Sequence, residues 1–203
     1  MARLMIDPDD VAIVVIDVQP YFLDGWMAGA CEPLFARLEF LLALATVYDL
    51  PLLATFEQPI AVKGWLPERL EPFFPAHGER YTKETFNCCG EPPIVAAVER
   101  LDRAQIAVAG GETDVCVLQS VLGLIGAGKQ VFLLEDVLFS SEPQVGPAIR
   151  RMEAAGAIPS TVKTLNYELR RSVAAPRAER SDRLPSGLTL PAPEELPVWT
   201  PGW

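Results

Sequence analysis

The chain of 203 residues carries 17 Lys and Arg against 27 Asp and Glu, a net charge of −10, and half of its residues are apolar. That length suits one domain with a sizeable core, and so apolar a composition excludes a disordered body. The acidic balance argues against a nucleic-acid partner and for a soluble protein that meets small molecules or other proteins.

MARLMIDPDD places aspartates where a signal peptide needs its apolar core. The later apolar runs are too short or too interrupted to span a bilayer, so no membrane partner is expected. The cysteines Cys31, Cys88, Cys89 and Cys116 show no CxxC spacing, and His77 is the only imidazole. Reduced thiols in a cytoplasmic protein, and no zinc, are the expectation.

Along the chain, VAIVVID (11–17) reads as a buried parallel strand ending in a carboxylate. Glu32-Pro33 opens an apolar helix that closes near Asp49. PLLATF (51–56) is a second strand, and residues 57–79, rich in proline, form a long surface loop that holds His77. RYTKETF precedes the helix PPIVAAVERL, and QIAVAGG (105–111) is another buried strand. DVCVLQSVLGLIGAG is a helix apolar on nearly every face, and QVFLLED (130–136) is a strand. QVGPAIRRMEAAGA (a helix), IPST (a short strand) and NYELRRSV (a helix) complete a domain over 1–175. The Pro-rich stretch 176–203 is a tail that wraps the surface, swaps onto a partner chain or stays mobile.

Strands alternating with helices imply a parallel sheet covered on both faces. In such folds chemistry gathers outside the carboxyl ends of the strands. Asp17 lies at one such end, and Gly110-Gly111 lead from another to Cys116. Thr113 or Asp114 as helix N-cap would place Cys116 in the first turn, where the helix dipole favours a thiolate. The same position also suits a small buried core residue. Lys83 could join carboxylate and thiol in a charge cluster, or be exposed.

VVIDVQPYF with Asp17, YTKETF with Lys83 and AGGETDVCVLQS with Cys116, in that order, resemble the isochorismatase-like cysteine hydrolases. The likeness continues through LLEDVLFSS, RRMEAAGAI and NYEL, and FEQP points to the isochorismatase domain-containing subgroup. The resemblance implies a three-layer α/β/α sandwich around a six-stranded parallel sheet of order 3-2-1-4-5-6. It also implies a triad of Asp17 as general base, Lys83 as coupling cation and Cys116 as nucleophile. A cis peptide at Gly111–Glu112 would aim the amides of Glu112 and Cys116 at an oxyanion.

After the second strand, ATFEQPIAVKGWLPE lacks the histidines of the metal-dependent nicotinamidases, so neither metal nor cofactor is implied. Asp114 stands where the subgroup has histidine, next to the thiol, and could repel a thiolate. Phe22, Phe56, Gln58, Thr85 and Phe86 flank the motifs and read as pocket lining, with a core role open to the phenylalanines. The leading reading is a metal-independent hydrolase that cleaves a C–N bond in a small amide, imide or carbamoyl compound through a thioester. The alternatives are a non-catalytic scaffold and a vinyl-ether hydrolase of the isochorismatase type. The apolar helices at 33–48 and 115–127 point to a homodimer or homotetramer.

Overall fold

The computed structural model describes residues 4–23, 31–174 and 182–199. In chain order the strands are β1 (Val11–Ile16), β2 (Leu52–Glu57), β3 (Glu79–Lys83), β4 (Gln105–Gly111), β5 (Gln130–Phe139) and β6 (Ile158–Ser160). The helices are α1 (Pro20–Leu23), α2 (Glu32–Tyr48), α3 (Ile60–Lys63), α4 (Pro92–Arg100), α5 (Leu118–Gly126), α6 (Gly146–Ala154) and α7 (Val162–Arg170). All neighbouring strands pair in parallel, in the order β3-β2-β1-β4-β5-β6. The expected six-stranded α/β/α sandwich is the observed one.

The β-branched run of β1 is buried on both sides because successive side chains feed opposite layers. Val11, Ile13 and Val15 join the core under α2 and α7, while Ala12, Val14 and Ile16 join the core under α4, α5 and α6. The sequence reading left RYTKETF unassigned, yet its first half is edge strand β3, paired with β2 from Leu53↔Glu79 to Glu57↔Lys83. Only Lys83 of that strand is buried. A charged edge strand carries little apolar periodicity to announce it.

Helix α2 is apolar nearly all round because it is covered twice. Leu34, Leu38 and Leu41 lie in the core against the sheet, while Ala43 and Val47 pack under Leu184 of the tail. Arg37 Nε donates to the carbonyl of Pro197 at 3.0 Å, and Trp199 Nε1 donates to that of Leu138 at 3.4 Å. The described part of the tail, 182–199, therefore wraps its own chain; the rest of the 176–203 stretch lies outside the described residues. The apolar character of α2 is met within the molecule and is no argument for a subunit interface. Among the described residues no helix is long and apolar enough to cross a membrane.

The end of β4 closes tightly on the end of β1. Gly110 has φ +117°, and a Cβ there would stand 1.9 Å from the Ile16 carbonyl oxygen. At Gly111 a Cβ would meet the Phe139 ring at 2.3 Å. The glycine pair is thus the condition for the two strand ends, and the loops that follow them, to meet. Gly110→Ala is expected to cost about 3 kcal/mol or more, or to prevent folding. Urea denaturation checks this, and an unchanged midpoint would contradict the packing argument.

Candidate active site

Four adjacent strands deliver one side chain each to the carboxyl edge of the sheet. Asp17 follows β1, Glu57 ends β2, Lys83 ends β3, and Cys116 follows β4. The edge between β1 and β4 is where the strand order reverses, the usual place for a ligand crevice. Asp17 adopts a left-handed backbone conformation, φ +49°, which an aspartate tolerates better than most residues.

Lys83 is the centre of the group. Its Nζ lies 2.6 Å from Asp17 Oδ2, and it donates to Thr85 O at 3.1 Å and to Cys116 Sγ at 3.5 Å. Thr55 Oγ1 donates to the other Asp17 oxygen at 2.9 Å. The side chains of Asp17 and Lys83 are both fully buried. The thiol donates in turn to Glu57 Oε2 at 3.2 Å. The three predicted triad residues are thus brought into one contact network.

Burial pushes the Asp17 carboxyl up, with Lys83 opposing it. For Lys83 burial alone would pull the ammonium down, but Asp17, Cys116 and Glu57 hold it above its ordinary value. Burial, the Asp17 charge and the bond to Glu57 push the Cys116 thiol up against the influence of Lys83. The sequence argument for a thiolate favoured by a helix start is therefore overturned. Neither Thr113 nor Asp114 caps a helix: Thr113–Val117 is a wide turn of π-helical geometry ahead of α5, with no side-chain cap. Desolvation and two carboxylates outweigh the dipole and favour the protonated form of the Cys116 thiol.

Asp114 is tied to the segment after β5. Its Oδ1 accepts a hydrogen bond from Ser140 Oγ at 2.6 Å, and Thr113 Oγ1 donates to Phe139 O at 2.9 Å. The Gly111–Glu112 peptide is cis, and the Glu112 side chain accepts from the Ser141 amide at 3.0 Å.

The expected pocket residues divide. Phe56 is a correction: it is wholly buried in the core under α2, whereas Cys116 belongs to the opposite core. Strand alternation explains this, since Thr55 and Glu57 face the site and Phe56 between them must face away. Phe22 packs against that same core, with Lys63 Nζ 5.3 Å from its ring centroid. Gln58 Oε1 accepts from the Ile60 amide at 3.1 Å, which makes it a loop brace. Thr85 serves through its carbonyl, and the Phe86 side chain is half exposed. His77 is a partly exposed loop residue bonded to Leu50 O.

Sequence reasoning missed Glu57 and the residues that hold it. Gln19, fully buried, accepts from the Glu57 amide at 2.7 Å and donates to the Glu57 carbonyl at 3.1 Å and the Gly64 carbonyl at 2.7 Å. Lys63 forms an ion pair with Glu57 Oε1. The strand-end rule that selected Asp17 would have selected Glu57 too, had β2 been read one residue longer. Burial works against the Glu57 charge, yet Lys63, the thiol and Lys83 hold its carboxyl below the usual range. Donor atoms of Asp17, Glu57 and Cys116 lie within 4.8 Å of one another, a grouping that could hold a metal ion, and the Lys83 ammonium stands among them.

With this geometry in view, residues 11–164 match the model of the Isochorismatase domain family. The chain belongs to the isochorismatase family. It is 29% identical over 157 residues to isochorismatase domain-containing protein 2 of Rattus norvegicus, covering 76% of this chain and 70% of the rat protein. YcaC of Pseudomonas aeruginosa, solved with hexane-2,5-diol and covalent acrylamide, superposes with a TM-score of 0.81 at 25% identity, over 91% of this chain and 92% of that one. YcaC of Escherichia coli, described as an octameric hydrolase of unknown specificity, shares the fold with a TM-score of 0.81 at 24% identity, over 90% of each chain. Membership of this family supports a hydrolase role.

The electrostatics make a pH prediction. The folded thiol of Cys116 titrates above its unfolded value, so its thiolate is absent at neutral pH and emerges only above the ordinary thiol range of about 8.5. The rise of thiolate absorbance at 240 nm lost on Cys116→Ala measures this. A midpoint for that component below 8 would contradict the assignment of charges around the sulfur.

Proposed function

We propose that the protein is a metal-independent cysteine hydrolase that cleaves a C–N bond in a small amide, imide or carbamoyl compound. The carrying observation is the single network in which Lys83 touches both Asp17, at 2.6 Å, and the Cys116 sulfur, at 3.5 Å. Nucleophile, cation and carboxylate at contact distance are the equipment of covalent catalysis by a thiol.

In this reading Asp17, whose affinity for a proton burial has raised, draws the proton from the thiol as the sulfur attacks the substrate carbon. Lys83 couples the two, holding Asp17 in place and offsetting charge on the sulfur. The developing oxyanion would be met by the amides of Glu112 and Cys116 beyond the glycine pair. Collapse expels the amine, which carries away the proton, and water then attacks the thioester and restores the thiol. A neutral resting thiol suits this scheme, because the proton is already at hand for the leaving nitrogen.

Two further points support it. The Pseudomonas aeruginosa relative was solved with covalent acrylamide, an electrophile that carries a carboxamide. Glu57 at 3.2 Å from the sulfur sets a negative charge where a dianionic vinyl ether would have to sit, which disfavours that alternative. A purely structural scaffold gives no reason to bury Lys83 and Asp17 beside a thiol. The homodimer or homotetramer expected from apolar helices loses the support of α2, and YcaC of Escherichia coli, of the same fold, is described as octameric.

Release of ammonia from a panel of small amides, imides and carbamoyl compounds tests the function. Cys116→Ala is expected to abolish turnover, and Asp17→Asn to lower kcat by about 10²–10⁴-fold, with circular dichroism at 15 °C confirming the fold of each. Turnover of a panel substrate at the native rate by Cys116→Ala would remove the mechanism.

A further inference from the structure

The thiol has a second carboxylate neighbour that the triad does not use. Glu57 is not there by accident of packing: Gln19 grips its amide and its carbonyl, and Lys63 takes Oε1. Oε2 is thereby aimed at the sulfur, 3.2 Å away. Lys83 Nζ is ion-paired with Asp17 and donates to Thr85 O and Cys116, and it stands 3.8 Å from Oε2. Among the described residues the thiol is therefore the one donor within hydrogen-bond distance of Oε2.

When a substrate carbon approaches to about 3–3.5 Å of the sulfur, the atoms bonded to that carbon come within reach of Oε2. An ionised carboxylate offers only acceptor sites, so it rewards an N–H there and repels a second carboxylate. The side chain keeps slight solvent exposure, whereas that of Asp17 has none.

We propose that Glu57 is a specificity-determining residue that accepts a hydrogen bond from an N–H that the substrate presents beside the Cys116 sulfur. The substrate class is thereby narrowed to N–H-bearing carboxamides and ureido compounds, against N,N-disubstituted amides and against acids carrying a carboxylate at that position. The inference rests on the reading of Cys116 as nucleophile and narrows what that nucleophile accepts. Lys63 keeps the carboxylate ionised from its far side, and Lys83 and Asp17 complete the charges that face it.

The test needs no turnover. Acrylamide, N,N-dimethylacrylamide and acrylate each add a thiol across the C=C bond: an S–C bond forms at the β-carbon, the thiol proton ends on the α-carbon, and nothing is oxidised or reduced. Rates of adduct formation at Cys116 at pH 8.5, located by peptide mass mapping, are compared with those of N-acetylcysteine. Relative to that free thiol, the protein is expected to prefer acrylamide over its dimethyl analogue by about tenfold or more, and to react with acrylate at least tenfold less than with acrylamide. Glu57→Gln, which removes the charge but retains an acceptor oxygen, should relieve the bias against acrylate. Glu57→Met should in addition lose the preference for acrylamide over the dimethyl compound.

Ratios equal to those of the free thiol in the native protein would overturn the proposal. So would an unchanged selectivity in Glu57→Met, or failure of acrylamide to label Cys116. Selective labelling without hydrolysis of any panel amide would leave the role of Glu57 standing and remove the hydrolase reading instead.

Discussion

An ammonium and a carboxylate with no exposure to water, Lys83 and Asp17, meet at 2.6 Å where the sheet ends. Removing two charges from water is costly, and their attraction offsets it only when geometry is good and other polar atoms are satisfied. Thr55 serves Asp17 Oδ1 and the carbonyl of Thr85 serves Lys83, while Asp17 Oδ2 has the ammonium contact alone. The pair cannot be formed by residues near in sequence. It requires β3 to be hydrogen-bonded outside β2 and β2 outside β1, so the edge strand is tied to the site through a single lysine.

The other half of the site depends on a different constraint, the close approach of β4 to β1. That approach places the turn bearing Cys116 beside Asp17. Once there, the thiol hydrogen-bonds in two directions, accepting from Lys83 and donating to Glu57. Asp17, Glu57 and the Lys83 ammonium act on the sulfur, and together with burial they favour its protonated form. In the proposed mechanism such a thiol stays protonated until a substrate arrives and its proton passes to Asp17. Residues 11–164 match the Isochorismatase domain family, and that membership supports a hydrolase role.

Much of this was legible in the sequence because the strands that matter most are apolar on both faces. VAIVVID and QIAVAGG announce buried parallel strands, and a carboxylate or a glycine pair at their ends marks the functional edge. The motifs around Asp17, Lys83 and Cys116 then fix their order. What stayed hidden has physical causes. Strand β3 is short, charged and at an edge, so its periodicity is weak. Glu57 sits one residue beyond the apolar run of β2, and its neighbour Phe56, which flanks the motifs and so reads as pocket lining, faces the other layer. The raised titration of the thiol came from groups at sequence distances of 59 and more residues, which no local helix argument could include. The cover on α2 came from the tail, whose composition gave no regular signal.

The account turns on whether Asp17 and Lys83 depend on each other, and a double-mutant cycle measures that directly. Asp17→Asn and Lys83→Met are each expected to cost about 3–5 kcal/mol, because each leaves a buried charge without its partner. The double variant should cost about 2 kcal/mol less than the sum of the two, as read from urea denaturation of all four proteins. Losses that simply add, to within about 0.5 kcal/mol, would contradict the account, since the two side chains would then not be acting as a pair.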